Sequence, residues 1–557
     1  MRTAVYRFIS LFLLFVLLVL PVAAVDAEYL RGREAMVSSR SDIASEIGSE
    51  ILTQGGNAID AAVATGFALS VAYPSAGNLG GGGFMVLHLA AGEVITLDFR
   101  EKAPAAASRD MYLDSQGNVD RNLARSSRQA SGVPGTVAGL LDVLNRYGTM
   151  TREQVIAPAI RLAEEGFILN NDIAGQFRSH FTTFRQYPAS LAKFSKNGSP
   201  YAAGDRWVQP DLAATLRDIS DQGRDGFYKG RVADLIVSDM AQNNGLITHA
   251  DLQNYETVWR EPVHGTYRGY DIWSMGPPSS GGTAIIQMLN MMEPFDVSAM
   301  GWGSTEAVHL LVEAQRRAYA DRAVYMGDPD FSDIPVAVMT DKDYARHRFE
   351  TFDPQRAGDS TQVEAGELPA ESRNTTHYSV MDSEGNAVSA TITLNSSYGN
   401  KIVVPGAGFL LNNEMSDFAT RVEDSHVNQI QPGKRMMSSM SPTIVSKEGA
   451  PVLITGSPGG TAIINTVLQV ILNVIDHGMP IDEAVTSPRL THQWRPDIIR
   501  YESGAISEEV AKALEAMGHK GLNGSSFYIG EANSILVGED YVDGMSDPRI
   551  VGGVAGY

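Results

Sequence analysis

The run Asn374-Thr375-Thr376-His377-Tyr378-Ser379-Val380 sets a threonine at the mouth of an extended segment, and no other stretch constrains this chain as much. A threonine hydroxyl is a poor nucleophile without a base beside it, whereas an N-terminal threonine carries a base in its own α-amino group. That amine has a reference pKa of about 7.7–8.0, close to where a general base works best near neutrality. Thr375 gains such an amine only when the Asn374–Thr375 bond breaks. The expected route is attack of the Thr375 hydroxyl on the Asn374 carbonyl, an N-to-O acyl shift, and hydrolysis of the resulting ester. This reading makes the chain a self-activating amidohydrolase. The residues alone leave a plainer reading open, because β-branched pairs open many strands for packing reasons.

The flanks add structure to the motif. Residues 378–382 and 387–395 read as two strands joined by the Gly-containing turn 383–386, a hairpin. Thr393 and Asn395 lie two apart, so an extended strand projects them from one face, which the hairpin returns toward Thr375. Upstream, Ser41 caps a helix that ends near Gly55, and 58–73 reads as an apolar helix stopped by Pro74. Residues 85–89 and 94–99 form a second hairpin that delivers Arg100. Late in the chain, 451–455 reads as a strand, 457–460 as a loop and 461–475 as a buried helix. Periodicity by itself supports a mixed α plus β architecture.

Several long motifs fall in register with these elements. They include Asn78-Leu-Gly-Gly-Gly-Gly-Phe-Met85, Leu97-Asp-Phe-Arg-Glu101, Val133-Pro-Gly-Thr136, Pro277-Pro-Ser-Ser-Gly-Gly282, Ala318-Tyr-Ala-Asp-Arg322 and Gly327-Asp-Pro-Asp-Phe331. After Thr375 come Leu410-Leu-Asn-Asn-Glu-Met-Ser-Asp-Phe418, Met436-Met-Ser-Ser-Met-Ser-Pro-Thr443, Val452-Leu-Ile-Thr-Gly-Ser-Pro-Gly-Gly460 and Ser546-Asp-Pro-Arg549. In this order they resemble the gamma-glutamyltranspeptidase family of the N-terminal-nucleophile hydrolases, over nearly all of the mature chain. The resemblance implies an α+β fold, a four-layer αββα sandwich built from both autoprocessed fragments, with 28–374 as large subunit and 375–557 as small subunit.

It also implies roles. Thr375 resembles the nucleophile, Thr393 the second threonine that hydrogen-bonds it, and Asn374–Thr375 the cleavage site. Gly459 and Gly460 resemble the oxyanion hole, where two backbone N–H groups approach without a Cβ and a helix N-terminus adds a favourable dipole. A phosphate loop is the rival for that segment, but no Lys-Ser/Thr follows it. Arg100 matches the arginine that pairs with the donor α-carboxylate. Ser438 and Ser439 match serines that hold the same carboxylate, while Asn395, Glu414 and Asp417 match the receivers of the α-ammonium. Without the motifs, each would read as a solvated or structural polar residue.

The implied activity is an exported γ-glutamyltransferase and glutathione hydrolase. It would form a γ-glutamyl-Thr375 ester from glutathione or other γ-glutamyl compounds, resolved by water or by an amino acid or dipeptide acceptor. One alternative is a cephalosporin (glutaryl) acylase-like amidohydrolase of the same fold; another is a non-catalytic exported binder of γ-glutamyl compounds. Two departures bear on the donor pocket. The stretch between Asp417 and Pro432 is short and has no aromatic residue after Phe418, which implies an open site reachable by longer peptides or more water. Ser416 stands where many relatives carry a second acidic residue.

Composition fits an exported enzyme. Two early arginines, an apolar run from Phe8 to about Leu20 and small residues near Ala24 and Ala27 describe a signal peptide at 1–27, shorter in its apolar run than the usual ~20-residue membrane span. Periplasmic or extracellular export with no cysteine means no disulfide and no thiol nucleophile. The chain has 557 residues, 43% of them hydrophobic, and no linker-like tract, so both fragments are expected to form one unit rather than two domains. A formal charge of −21 argues against nucleic acid as partner. Eleven histidines include no HExxH pair, so neither metal nor other cofactor is implied. His377 is expected to pack or orient the turn rather than act as base.

Overall fold

The computed structural model describes residues 28–363, 374–420, 426–525 and 528–557, so the expected signal peptide lies outside the described residues. Among the described residues, no helix is long and apolar enough to cross a membrane.

Two sheets of seven strands dominate. In chain order their strands are β1 (Glu28–Gly32), β2 (Met36–Ser39), β3 (Gly82–His88), β4 (Val94–Asp98), β5 (Val258–Arg260), β6 (Val263–Tyr267) and β7 (Tyr270–Ser274). The remaining seven are β8 (Thr375–Met381), β9 (Ala387–Thr393), β10 (Thr443–Lys447), β11 (Ala450–Thr455), β12 (Asn533–Val537), β13 (Val542–Ser546) and β14 (Gly553–Gly556). One sheet runs β14-β2-β8-β9-β3-β4-β5 and the other β1-β13-β12-β11-β10-β7-β6. Each draws strands from both sides of Thr375, so a break there would leave two interleaved fragments in one folded body.

Three apolar layers define the sandwich. Met36, Val86, Met381 and Ala387 of the first sheet meet Ile444, Ile454, Ile535 and Val542 of the second in a central core. The outer face of the first sheet packs on helices α1 (Asp42–Thr53) and α2 (Ala58–Ala72) among others. The outer face of the second packs on α3 (Gly281–Met292), α4 (Thr305–Tyr325) and α5 (Ile463–Ile475). The four layers are the expected αββα order. Local chemistry sets the elements. Ser41 accepts from the Ala44 N–H to start α1, and Asn57 with Asp60 forms a capping box on α2. Every residue of α2 is buried, which explains its unbroken apolar run.

The central hairpin β8–β9 is buried along its whole length. Its turn is closed by the Asp382 carboxylate, which accepts from the Glu384 and Asn386 N–H groups at 3.0 and 2.9 Å. Two details differ from the sequence reading. The extended run ends at Thr393, and Asn395 has φ of +72°, so a turn rather than strand alternation aims its side chain. Asparagine tolerates that left-handed conformation. The late helix starts at Ile463, two residues beyond the expected 461, because Gly460–Ala462 forms a 3₁₀ turn first.

Candidate active site

β8 and β9 pair so that Thr375 faces Thr393 across the ladder. The Thr375 hydroxyl donates to Thr393 Oγ1 at 3.4 Å, and the Thr393 hydroxyl donates to the Asn374 carbonyl at 3.2 Å. The Asn395 N–H donates to Thr393 Oγ1 at 2.7 Å and fixes that hydroxyl in place. The second threonine therefore touches both the Thr375 hydroxyl and the Asn374 carbonyl. Asn374 is held as well, its Nδ2 donating to Ser75 Oγ at 2.9 Å and Ser397 Oγ at 2.7 Å.

Glycine packing brings β9 this close to its neighbours. A Cβ on Gly81 would sit 1.9 Å from the Thr393 carbonyl oxygen, so only glycine fits there. Asn78 from the same motif donates to that carbonyl at 2.9 Å and accepts from Thr136 Oγ1 at 2.7 Å. The sequence flagged both motifs without a role; they buttress Thr393.

A small cleft opens beside Thr375 and gathers Thr393, Asn395, Arg100, Glu414, Asp417, Ser438, Ser439 and Gly460 from five separate chain segments. Gly459 is not in its lining; it backs the same loop with φ of +137°, a conformation open to glycine alone.

Arg100 is fully buried and ion-paired. Its Nη1 binds Glu414 Oε1, its Nη2 donates to Asp417 Oδ2 at 2.8 Å, and the Met437 carbonyl accepts a further bond at 3.2 Å. The sequence reading assigns the arginine and the two acids to opposite ends of a ligand; in the structure they pair directly with one another. Burial lifts the Glu414 carboxyl well above its ordinary value against the pull of Arg100, and burial lifts Glu101, behind it, to about 7. One guanidinium thus faces three carboxyl groups.

Ser438 and Ser439 are aimed by parts of two motifs whose role the sequence did not give. The Ser280 hydroxyl donates to the Ser438 carbonyl at 2.8 Å, and buried Arg322 donates to Ser280 Oγ at 2.7 Å and Ser439 Oγ at 2.8 Å. Ser416, in place of a second acid, accepts from Asn395 Nδ2 at 3.1 Å, while Asp417 Oδ1 accepts from the same nitrogen at 2.8 Å. Residues 421–425 lie outside the described residues, so the expected open lid segment is described only in part.

His377 has no base-like setting. It is fully buried, bonded to Thr391 Oγ1 at 2.9 Å and Ser379 Oγ at 3.0 Å, and burial lowers its pKa to about 3. An unfolded histidine binds a proton below its ordinary pKa of 6.5 that the folded one refuses, so this residue weakens the fold as pH falls from 6.5 toward about 3. Over that window thermal unfolding of His377→Gln should depend less steeply on pH than that of the unsubstituted protein, by up to about 1.4 kcal/mol per pH unit. Equal slopes would contradict the assignment. Elsewhere His309, Glu313 and His519 cluster, but the Glu313 carboxylate is already held by Arg316, Arg317 and the Gly358 N–H, which marks a structural ion-pair network.

The family model for gamma-glutamyltranspeptidase matches residues 44–557. The "Glutathione hydrolase proenzyme" of Escherichia coli K12 is 46% identical over 540 residues, covering 95% of this chain and 93% of that protein. Among solved structures, a cephalosporin acylase from Bacillus halodurans superposes with a TM-score of 0.85 at 25% identity, covering 95% of this chain and 97% of its own. A Helicobacter pylori gamma-glutamyltranspeptidase chain gives 0.57 at 51% identity, covering 58% of this chain and 93% of its own. The match runs from α1 to the last residue and takes in the Thr375 hairpin, the cleft and the motifs that brace them: this chain belongs to the gamma-glutamyltranspeptidase family.

Proposed function

We propose that the chain is the precursor of an exported γ-glutamyl hydrolase and transferase that cuts itself between Asn374 and Thr375. The observation that carries this reading is the contact of Thr393 with both the Thr375 hydroxyl and the Asn374 carbonyl. In the first step Thr375 Oγ adds to the Asn374 carbonyl carbon, and Thr393 donates a hydrogen bond to the developing oxyanion. Collapse breaks the C–N bond, leaves an ester on Oγ and frees the α-amine; water then releases Asn374 as a carboxylate. The fragments are 28–374 and 375–557, after removal of 1–27 as an export signal.

In turnover the Thr375 amine takes the hydroxyl proton while Oγ attacks the γ-carbonyl of glutathione or another γ-glutamyl amide. The backbone N–H groups of Gly459 and Gly460 receive the oxyanion. Arg100, Ser438 and Ser439 hold the α-carboxylate, and Asn395, Glu414 and Asp417 hold the α-ammonium. The amine then returns the proton to the leaving nitrogen, and water or the amine of an amino acid or dipeptide resolves the ester. Gly459→Ala should force the loop out of its conformation and lower turnover by about 10²–10³-fold, the scale of one lost oxyanion donor. Single-turnover anilide release measures this, and near-normal rates would remove the glycine pair from the role.

The second reading, a glutaryl acylase, draws on the likeness to the cephalosporin acylase. It leaves the acids around Arg100 without a ligand charge to meet. Comparing a γ-glutamyl with a glutaryl anilide decides between them: the account expects preference for γ-glutamyl, and equal or reversed preference favours the acylase.

A further inference from the structure

The residue that would lose its bond to Thr375 is gripped from two sides. Asn374 Nδ2 uses both of its hydrogens, one on Ser75 Oγ at 2.9 Å and one on Ser397 Oγ at 2.7 Å. Ser75 lies just beyond α2 and is buried, while Ser397 belongs to the turn that leaves β9. The Tyr398 N–H donates to the Ser75 carbonyl at 2.8 Å, so the backbone also ties the two serines to each other.

That turn is not free to relax. Asn395, Tyr398 and Lys401 have φ of +72°, +61° and +66°, left-handed values that non-glycine residues keep only where their surroundings enforce them. Tyr398 supplies much of the enforcement. Its ring is fully buried against Phe177, Phe184 and Phe194, with centroids 6.3, 5.1 and 5.6 Å away, and its hydroxyl donates to Gln176 Oε1 at 3.1 Å. These partners come from the helices Asn171–Phe184 and Pro188–Phe194. At the far end of the turn the Ser190 hydroxyl donates to the Lys401 carbonyl at 2.8 Å. A fork onto two anchored oxygens fixes the Asn374 side chain, and with it the direction of the Asn374 carbonyl that accepts from Thr393 at 3.2 Å. Neither serine lines the cleft beside Thr375.

We propose that Ser75 and Ser397 are positioning residues for self-cleavage, which hold the scissile carbonyl against the Thr375 hydroxyl through the Asn374 carboxamide and take no part in turnover; this rests on the self-cleavage reading above. Holding a carbonyl in the line of attack removes the orientational part of the barrier, and a displacement of about 1 Å is enough to cost about 10²-fold in rate. The serines neither gain nor lose a proton, so the bonds made and broken remain those of the acyl shift and the ester hydrolysis. Once the Asn374–Thr375 bond is gone, Asn374 is the end of the other fragment, and its grip no longer sets what Thr375 attacks.

The test is a cycle of substitutions, read by the rate at which pulse-labelled precursor divides on gels. Ser75→Ala combined with Ser397→Ala should cut about 10- to 100-fold more slowly, the scale of two neutral hydrogen bonds. Asn374→Ala removes the donor instead and should be slowed to a similar degree. All three changes together should cut no more slowly than Asn374→Ala alone, because both ends of the same two contacts are then gone. The cut fraction of the serine variant should hydrolyse a γ-glutamyl anilide with the kcat and KM of the unsubstituted enzyme. Should the paired variant not fold, each single serine variant gives the same comparison with a smaller slowing. Cutting at the ordinary rate, further slowing when the three changes are combined, or impaired turnover of the cut fraction overturns the clamp and leaves the self-cleavage reading standing. If the unsubstituted precursor never divides between Asn374 and Thr375, that reading fails and takes the clamp with it.

Discussion

Thr375→Ala will be recovered as one uncut chain without turnover. The side chain has two jobs in this account, and alanine does neither. Nothing attacks the Asn374 carbonyl, so no new terminus forms, and nothing accepts the γ-glutamyl group. The loss should be at least about 10⁴-fold, comparable with removal of a nucleophile from an enzyme whose groups act as a unit. Thr375→Ser separates the jobs, since a serine hydroxyl and amine retain the chemistry without the methyl; it should cut more slowly and keep measurable activity. Gel analysis of purified protein over days, with anilide release on the same samples, reads both. A cut, active Thr375→Ala protein would sink the nucleophile assignment.

Arg100→Lys will keep cutting itself and will lose most of its affinity for γ-glutamyl donors. Lysine retains the charge that Glu414 and Asp417 need in a buried pocket, so the fold is spared an unpaired carboxylate. It cannot reproduce the planar fork that binds a carboxylate through two N–H groups. The expected fall in kcat/KM is about 10²-fold, the scale of one or two hydrogen bonds between charged groups. The fall should appear chiefly in KM. A γ-aminobutyryl anilide, which has no α-carboxylate, should be hydrolysed equally poorly by both proteins. A structural role alone would depress both substrates together and lower the unfolding temperature.

The residues proposed here to do the chemistry were legible in the sequence, and those that hold them in place were not. Thr375, Thr393 and Asn395 could be found because a hairpin puts positions about twenty apart side by side. Strand alternation gave Thr393 its place, but the left-handed turn at Asn395 is a local conformation that no two-residue period predicts. The αββα order needed the family resemblance, since the strands that meet in the central core come from opposite ends of the chain and periodicity is blind to pairing. Arg322, Ser280 and Asn78 lay inside recognised motifs, yet their work is to orient other side chains across more than a hundred residues, as Arg322 does for Ser439. Ser416 was read as a missing acid, and its contact with Asn395 became visible only once the 3₁₀ turn of Glu414–Asp417 was placed against the hairpin. The pairing of Arg100 with Glu414 and Asp417 was likewise unreadable, because the sequence reading placed them as separate contacts of a ligand.

The most direct test of the central claim is intact mass and N-terminal sequencing of the purified protein. The account predicts two fragments that stay together under native conditions, the smaller beginning Thr-Thr-His-Tyr-Ser at Thr375, with anilide release that tracks the cut fraction. A stable uncut chain that turns over a γ-glutamyl anilide, or a small fragment that begins at any other residue, would contradict it.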